Sequence, residues 1–465
     1  MSLQRLYTPY ARIGSQWERD VVLAWDQQGT LHEVNTNQDR AKLANNTQII
    51  RGAVISGMPN LHSHAFQSAM AGLTEYRGTT ADSFWSWRDL MYRFAAKLSP
   101  DDIHHIARWL YIDMLKAGYT SVCEFHYIHH QADGTPYSLR SELAAQVCQA
   151  AEQSGIGLTM LPVLYQYSNF GAEAPRADQA RFLNSPEQLL ALLHELQHAF
   201  PQNPQRRYGV APHSLRAVSA ESLNTLLNGL ATDFPHAPIH IHIAEQLAEV
   251  EASVASTGLR PVEWLYQHMD VDTQWCLVHA THLTRDELSR IARSGAVAGL
   301  CLTTEANLGD GIFPAHEYLQ AGGRFGVGSD SHISVDWRAE LRLLEYGQRL
   351  TRNERNVLHA LGQPQVADYL FDTALQGGAQ ASARAIGQLR VGHQADFIVL
   401  DTEHPTLAEH SPDTWLASLI FNERSSHAIR DVYVAGQARV IDGHHADERD
   451  AFAQYRRTLH RLIHD

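Results

Sequence analysis

Lysine is nearly absent from this chain. Only Lys42, Lys97 and Lys116 occur in 465 residues, so almost all of the 37 basic side chains are arginine. That scarcity limits Schiff-base chemistry and any metal site bridged by a lysine derivative. Positive charge is short overall: 51 acidic residues give a formal net charge of −14 with histidine neutral, and no basic run interrupts the excess. Nucleic acid and anionic membrane both need a local surplus of Lys and Arg, so neither is an expected partner. Cysteine is limited to Cys123, Cys148, Cys276 and Cys301, far apart, in apolar surroundings and without CxxC spacing. They read as buried thiols of a reducing compartment. No stretch approaches the ~18 uninterrupted apolar residues of a membrane span. The segment Met1–Tyr7 lacks the basic-then-apolar pattern of a signal peptide, so the expectation is a soluble, cytoplasmic protein.

Apolar residues are plentiful, at 44% against 19% charged, which is enough for a large covered core. Histidine is abundant at 28 and invites a search for metal ligands. From Val54 to Asp330, short apolar runs rich in small and β-branched residues alternate with longer amphipathic segments, as repeated βα units do. Strands are expected at 53–58, 120–125, 158–164, 208–211, 239–243, 275–278, 296–302 and 324–328. Helices are expected from Pro100 to Gly118 and near 138–154, 186–200, 220–233 and 284–294. Eight strands with intervening helices point to a closed α/β fold, a (β/α)8 TIM-like barrel. The two ends of the chain read as short strands of one small β-sandwich. The domain expectation is therefore 1–55 plus 387–443 for the sandwich, 56–386 for the barrel, and a C-terminal helical segment over 444–465.

The chemistry-bearing residues fall at expected strand ends. The first barrel strand runs into His62-Ser63-His64, and residues two apart in extended chain face the same way. Strand five reads Ile239-His240-Ile241-His242-Ile243-Ala244-Glu245, strand six ends at His279, and strand eight leads into Asp330-Ser331-His332. Chemistry in barrels sits at the carboxyl ends of the strands. Three histidines and an aspartate there suit Zn²⁺ or Fe²⁺, with one position open for water.

This arrangement resembles the amidohydrolase superfamily along nearly the whole chain. The resemblance implies one divalent metal, most simply Zn²⁺, with Fe²⁺ as the alternative, held by His62, His64, His242 and Asp330. The deaminase branch carries an HxxE motif on strand five, matched by His242 to Glu245, which leaves His240 as a neighbour in the lumen. Binuclear members use a carbamylated lysine on strand four, and no lysine follows Lys116. Within the mononuclear branch the chain is similar to the deiminases of N-formimidoyl-L-glutamate. Four segments carry that likeness: Met58 to Gln67, Ser83 to Arg88, Glu124 to Tyr127, and Thr303-Thr304-Glu305-Ala306-Asn307-Leu308-Gly309. The last replaces a proline-serine-asparagine motif common in purine and triazine deaminases.

The likeness implies hydrolytic release of ammonia from a small dicarboxylate substrate, in histidine degradation. Asp330 is the expected proton acceptor, His279 the group beside the nascent hydroxide, and Glu245 the proton shuttle to the leaving nitrogen. Arg216 and then Arg88, placed in a tryptophan-rich loop, are expected to meet substrate carboxylates. Gln67, Tyr127 and His213 are expected to hold the polar end, and Trp85 and Trp87 to wall the pocket. His126, His129 and His130 read as loop histidines. Alternatives are an aminohydrolase acting on a nucleobase or another amidine-like substrate, or a non-catalytic barrel module. A homodimer is expected, because two-fold pairs are the commonest closed assembly.

Overall fold

The computed structural model describes residues 3–75 and 84–464. Its centre is a ring of eight parallel strands: Met58–Ser63, Tyr119–His126, Gly157–Leu164, Arg206–Tyr208 continued by Ala211–Pro212, Ile239–Ile243, Trp275–His279, Val297–Leu300 and Arg324–Val327. Strands one, two, three, five, six and seven are buried at every residue, which is why they read as continuous apolar runs rather than alternating ones. Strands one to four form one ladder and five to eight another. The ladders meet at isolated parallel bridges: Ser63 with Asp330 on one side, Val210 with Ile239 and Ser214 with His242 on the other. The barrel therefore closes at two seams.

The helices start where their sequences supply caps. Ser99 before Pro100–Lys116, Ser185 before Pro186–Ala199 and Thr284 before Arg285–Ser294 each accept from the third helical N–H, and Asp102, Gln188 and Glu287 accept in return. The helix expected from 138 begins only at Glu142, after Ser141.

Both chain ends enter one nine-stranded sheet, in which Gln4–Ile13 and Ala53–Ser56 pair with each other and Ala53–Ser56 pairs with Phe397–Leu400. Leu6, Leu23, Trp25, Val54, Phe397 and Val399 form its separate core. Two expectations are corrected here. The run expected as barrel strand one, 53–58, splits: Ala53–Ser56 belongs to the terminal sheet, and the barrel strand is Met58–Ser63. The terminal sheet also continues through His444–His445, so the C-terminal helix is Glu448–His464 rather than all of 444–465.

Helix Val366–Ser382 closes the barrel floor. The Ala381 carbonyl accepts from His240 Nε2 at 2.8 Å and the Ser382 carbonyl from Thr159 Oγ1 at 2.8 Å. Its Gly377-Gly378 pair lies so close to the strands that a Cβ on Gly377 would stand 1.9 Å from the Phe325 carbonyl oxygen. On propensity alone Gly377→Ala would gain about 1 kcal/mol. The contact reverses that sign. Gly377→Ala is expected to destabilise the fold by about 2 kcal/mol through overpacking, read as a lower urea midpoint with unchanged slope.

Candidate active site

His62, at the end of strand one, His64, just beyond it, and His242, in strand five, bring three imidazoles to one point. His62 Nε2 lies 3.1 Å from His64 Nε2 and 3.0 Å from His242 Nε2. Asp330 Oδ1 completes the set at 3.5 Å from His62 Nε2 and 3.4 Å from His64 Nε2. Two of the rings have fixed tautomers. His64 Nδ1–H donates to the Phe125 carbonyl at 2.9 Å and His242 Nδ1–H to the His213 carbonyl at 3.0 Å, because a carbonyl only accepts. Burial also keeps the rings neutral, holding His62 down to about 3 and His64 and His242 below their ordinary value. Each Nε2 of His64 and His242 then turns a lone pair toward His62 Nε2, which can donate to only one of them.

Such a cluster calls for a cation. A tetrahedral ion with arms of about 2.05 Å has ligand-to-ligand edges of about 3.3 Å, close to the separations above. Hydrogen bonds from the far nitrogens to backbone carbonyls are the usual outer support of metal-bound imidazoles. The donor set fits a divalent metal.

Next to this cluster stands His279. Its Nδ1 faces Glu305 Oε1 at 3.2 Å, while Nε2 faces Glu245 Oε1 at 3.7 Å and Asp330 Oδ2 at 3.8 Å. Burial opposes charge on the ring, but Glu245, Glu305 and Asp330 overcome it and push His279 up to about 10. His279 is an imidazolium at neutral pH. Asp330 is held below the carboxylate range: burial acts against ionisation, but His62, His64 and His279 outweigh it. Glu245 is pushed up to about 7 by burial, against the pull of His279 and Arg216. The site thus sets one ionised acid beside one poised near neutrality.

The backbone is strained where these groups emerge. Ala244, His279, Ala280, Asp330 and His332 adopt positive φ values between 48° and 67°. Non-glycine residues in that region are uncommon, and they gather at functional sites.

A cleft opens beside the cluster, and the sequence-expected side chains that are described line it, except the fully buried His62. Gln67 Nε2 donates to Tyr127 Oη at 2.8 Å, leaving the buried Gln67 Oε1 without a partner. His213 packs edge-on to Tyr165 at 4.7 Å. Arg216 is 6% exposed, with Nε 3.9 Å from Glu249 Oε1, and Glu249 in turn accepts from the Glu245 N–H at 3.0 Å. Arg88 lies 5.6 Å from the Tyr92 ring centroid. It is on helix Phe84–Ala95, not in a loop as expected. Trp87 lines the cleft, whereas Ser83 and the side chain of Trp85 lie outside the described residues.

Other histidines have structural partners. His240 serves the barrel floor, His129 Nε2 donates to the Val163 carbonyl and His130 Nε2 to the Leu183 carbonyl. His126 closes strand two instead of sitting in a loop.

Several residues that shape the site carry no local signal. Glu305 orients His279 and accepts from the Cys301 N–H at 2.9 Å. Glu124, pushed up to about 7 by burial, receives the Ala65 N–H at 2.6 Å, Ser63 Oγ at 2.6 Å and Tyr111 Oη at 3.0 Å, and so fixes the turn between the first two ligands. Gln179 donates to Tyr165 Oη at 2.9 Å and Tyr92 Oη at 3.2 Å, locking the cleft's tyrosine wall. Glu124 and Glu305 fall within the segments Glu124 to Tyr127 and Thr303 to Gly309, but nothing in the spacing of those segments marks either as a partner of the site.

Comparisons with known proteins agree with this geometry. Over 461 residues the chain is 47% identical to a formimidoylglutamate deiminase of Pseudomonas aeruginosa, covering 99% of this chain and 100% of that one. It is 26% identical over 397 residues to a 5-methylthioadenosine/S-adenosylhomocysteine deaminase of Natronomonas pharaonis, covering 84% of this chain and 81% of that one. A crystal structure of an amidohydrolase from Brucella melitensis superposes with a TM-score of 0.91 at 42% identity, over 99% of this chain and 100% of the other. A zinc-bound adenosine deaminase from Xanthomonas campestris shares the fold, with a TM-score of 0.81 at 21% identity over 98% of each chain. Residues 53–439 match the Amidohydrolase family, and the chain belongs to that family.

Proposed function

We propose that the protein hydrolyses N-formimidoyl-L-glutamate to N-formyl-L-glutamate and ammonia, a step of histidine degradation. The observation that carries this reading is the buried Arg216, set in the same cleft as Glu245, His279 and Asp330. A dicarboxylate needs such a cation and a neutral nucleobase does not. The full-length likeness to a formimidoylglutamate deiminase supports the same substrate.

His62, His64, His242 and Asp330 would hold one divalent metal, Zn²⁺ in this reading. When bound, such an ion lowers the pKa of water from 15.7 to about 7. Ionised Asp330 takes the proton of the attacking water. The Nε2–H of His279 donates to the oxygen as it adds to the formimidoyl carbon. Glu245, three residues past His242, gives a proton to the imine nitrogen as the oxygen adds; the proton held by Asp330 then passes to the resulting amine while the hydroxyl proton returns to Glu245, so the tetrahedral adduct expels neutral ammonia and retains the oxygen as a formyl carbonyl. Arg216 and Arg88 clamp the carboxylates, while Gln67, Tyr127 and His213 fix the polar end of the substrate.

The same reading makes the protein a cytoplasmic homodimer with no nucleic-acid partner. Its four buried free thiols suit a reducing compartment. Leu350 and Ile312, 79% and 54% exposed on one apolar groove, suit contact with a second copy. Among the described residues no helix is long and apolar enough to cross a membrane.

In an ammonia-release assay, Glu245→Gln and Asp330→Asn are each expected to lower kcat by about 10²-fold or more. Near-normal turnover in either would remove the proton roles. Arg216→Ala is expected to raise KM at least about tenfold with a smaller change in kcat, the mark of lost ground-state binding. Because Glu245 is raised, its protonated form predominates below about 7 and is lost as pH climbs. The alkaline limb of kcat/KM is therefore expected near 7. A profile flat to well above that point would exclude Glu245 as the acid.

A further inference from the structure

Glu249 has no part in the reaction above, yet it is buried at 1% exposure in the first turn of helix Leu247–Thr257. One of its oxygens has a local use. Oε2 accepts from the Glu245 N–H at 3.0 Å, as an acid at a helix start commonly does. The other oxygen has none. Oε1 is buried, accepts no hydrogen bond, and stands 3.9 Å from Arg216 Nε. That separation is too long for a hydrogen bond but within ion-pair range. Capping needs only one oxygen, so it does not account for a second one left without a donor beside a buried guanidinium. Arg216 lines the cleft and Glu249 does not. The guanidinium therefore has an internal carboxylate on one side and the ligand space on another.

We propose that Glu249 is a positioning residue, an internal counter-ion that loosens the hold of Arg216 on the carboxylates of substrate and product. The inference rests on the reading of Arg216 as a carboxylate clamp. N-formimidoyl-L-glutamate and N-formyl-L-glutamate carry the same two carboxylates, and hydrolysis changes only the group on the amine nitrogen. A clamp at full strength would hold both equally and retain the product, with nothing gained in the chemical step. Glu249 works against that retention. Its charge offsets part of the field that Arg216 presents to a ligand, and it repels a ligand carboxylate across the guanidinium. The same charge serves the empty cleft. Burial opposes ionisation of Arg216, and Glu249, ahead of Glu245, restores it. Without that partner a buried guanidinium would be costly until a ligand arrived.

The test uses the full-length, metal-loaded enzyme with N-formyl-L-glutamate as the probe. Calorimetry at neutral pH gives its Kd for the wild type, Arg216→Ala, Glu249→Gln and Glu249→Asp, and ammonia release gives its inhibition constant. Glutamine keeps an oxygen that can accept from the Glu245 N–H and removes the charge. Glu249→Gln is expected to bind the probe about tenfold more tightly, with product inhibition strengthened in parallel. A side chain that only supported the fold would weaken binding when replaced. Glu249→Asp keeps the charge but draws it back by one methylene, so it should tighten binding by a smaller factor, and it decides the question if Glu249→Gln fails to fold. The inference is overturned if Arg216→Ala weakens binding while neither folded Glu249 variant tightens it. A wild type that ignores the probe, or an Arg216→Ala variant that binds it equally well, defeats the clamp itself and this inference with it. The two failures are thus told apart by the Arg216→Ala arm.

Discussion

The convergence of three imidazole lone pairs and one carboxylate is the constraint around which this barrel is arranged. Those four groups sit at the seams. His62 and His64 flank Ser63, whose bridge to Asp330 joins strand one to strand eight, and His242 bridges Ser214 across the junction of strands four and five. Neither seam has a long ladder to hold it. Additional ties are local: the Asp330 N–H donates to the His62 carbonyl at 3.0 Å, and the His64 N–H to the Asp330 carbonyl at 3.1 Å. An ion bound by all four side chains would bridge both seams at once, so cofactor affinity and barrel closure draw on the same free energy.

The opposite wall solves a different electrostatic problem. The buried carboxyl groups of Glu245, Glu305 and Asp330 there would repel one another, and each would lose solvation. His279 relieves part of this by remaining protonated between Glu305, Glu245 and Asp330. Left-handed backbone at Ala244, His279, Ala280 and Asp330 turns these side chains into the cleft, at about 1–3 kcal/mol per residue. The fully buried strands beneath supply the packing that offsets such strain. Function is concentrated where local preference is least satisfied.

Much of this was legible in the sequence because it depends on short-range geometry. The two-residue spacing of His62 and His64 follows from extended backbone, whereas the step from His242 to Glu245 and the place of Asp330 after strand eight are legible only through the family resemblance, because Ala244 and Asp330 turn left-handed. The split at Gly57 was not legible. Ala53–Ser56 and Met58–Ser63 are both wholly buried, so hydrophobic periodicity has no phase with which to mark the passage from terminal sheet to barrel. The pairings of Glu305 with His279, of Gln179 with Tyr92 and Tyr165, and of His240 with Ala381 join residues 14 to 141 apart in the chain. No local pattern encodes such contacts. The tryptophan-rich segment around Arg88 reads as a loop after strand one, yet Trp87 and Arg88 lie on a helix and line the cleft.

Net charge is the property that the site most directly overrides. A chain at −14 repels a dicarboxylate at long range, but that field is screened within about 10 Å at ordinary ionic strength. In the proposed reading binding is decided inside the cleft, where screening is weak and placement governs. Arginine suits this position for a reason tied to the scarcity of lysine. Burial of Arg216 opposes its charge, yet Glu249 and Glu245 raise its pKa above the ordinary value, and the guanidinium stays ionised. An ammonium at that depth would lose its proton more readily and present no planar fork to a carboxylate. The carboxylate clamp proposed for Arg216, in an acidic and lysine-poor protein, requires a cation that desolvation cannot neutralise.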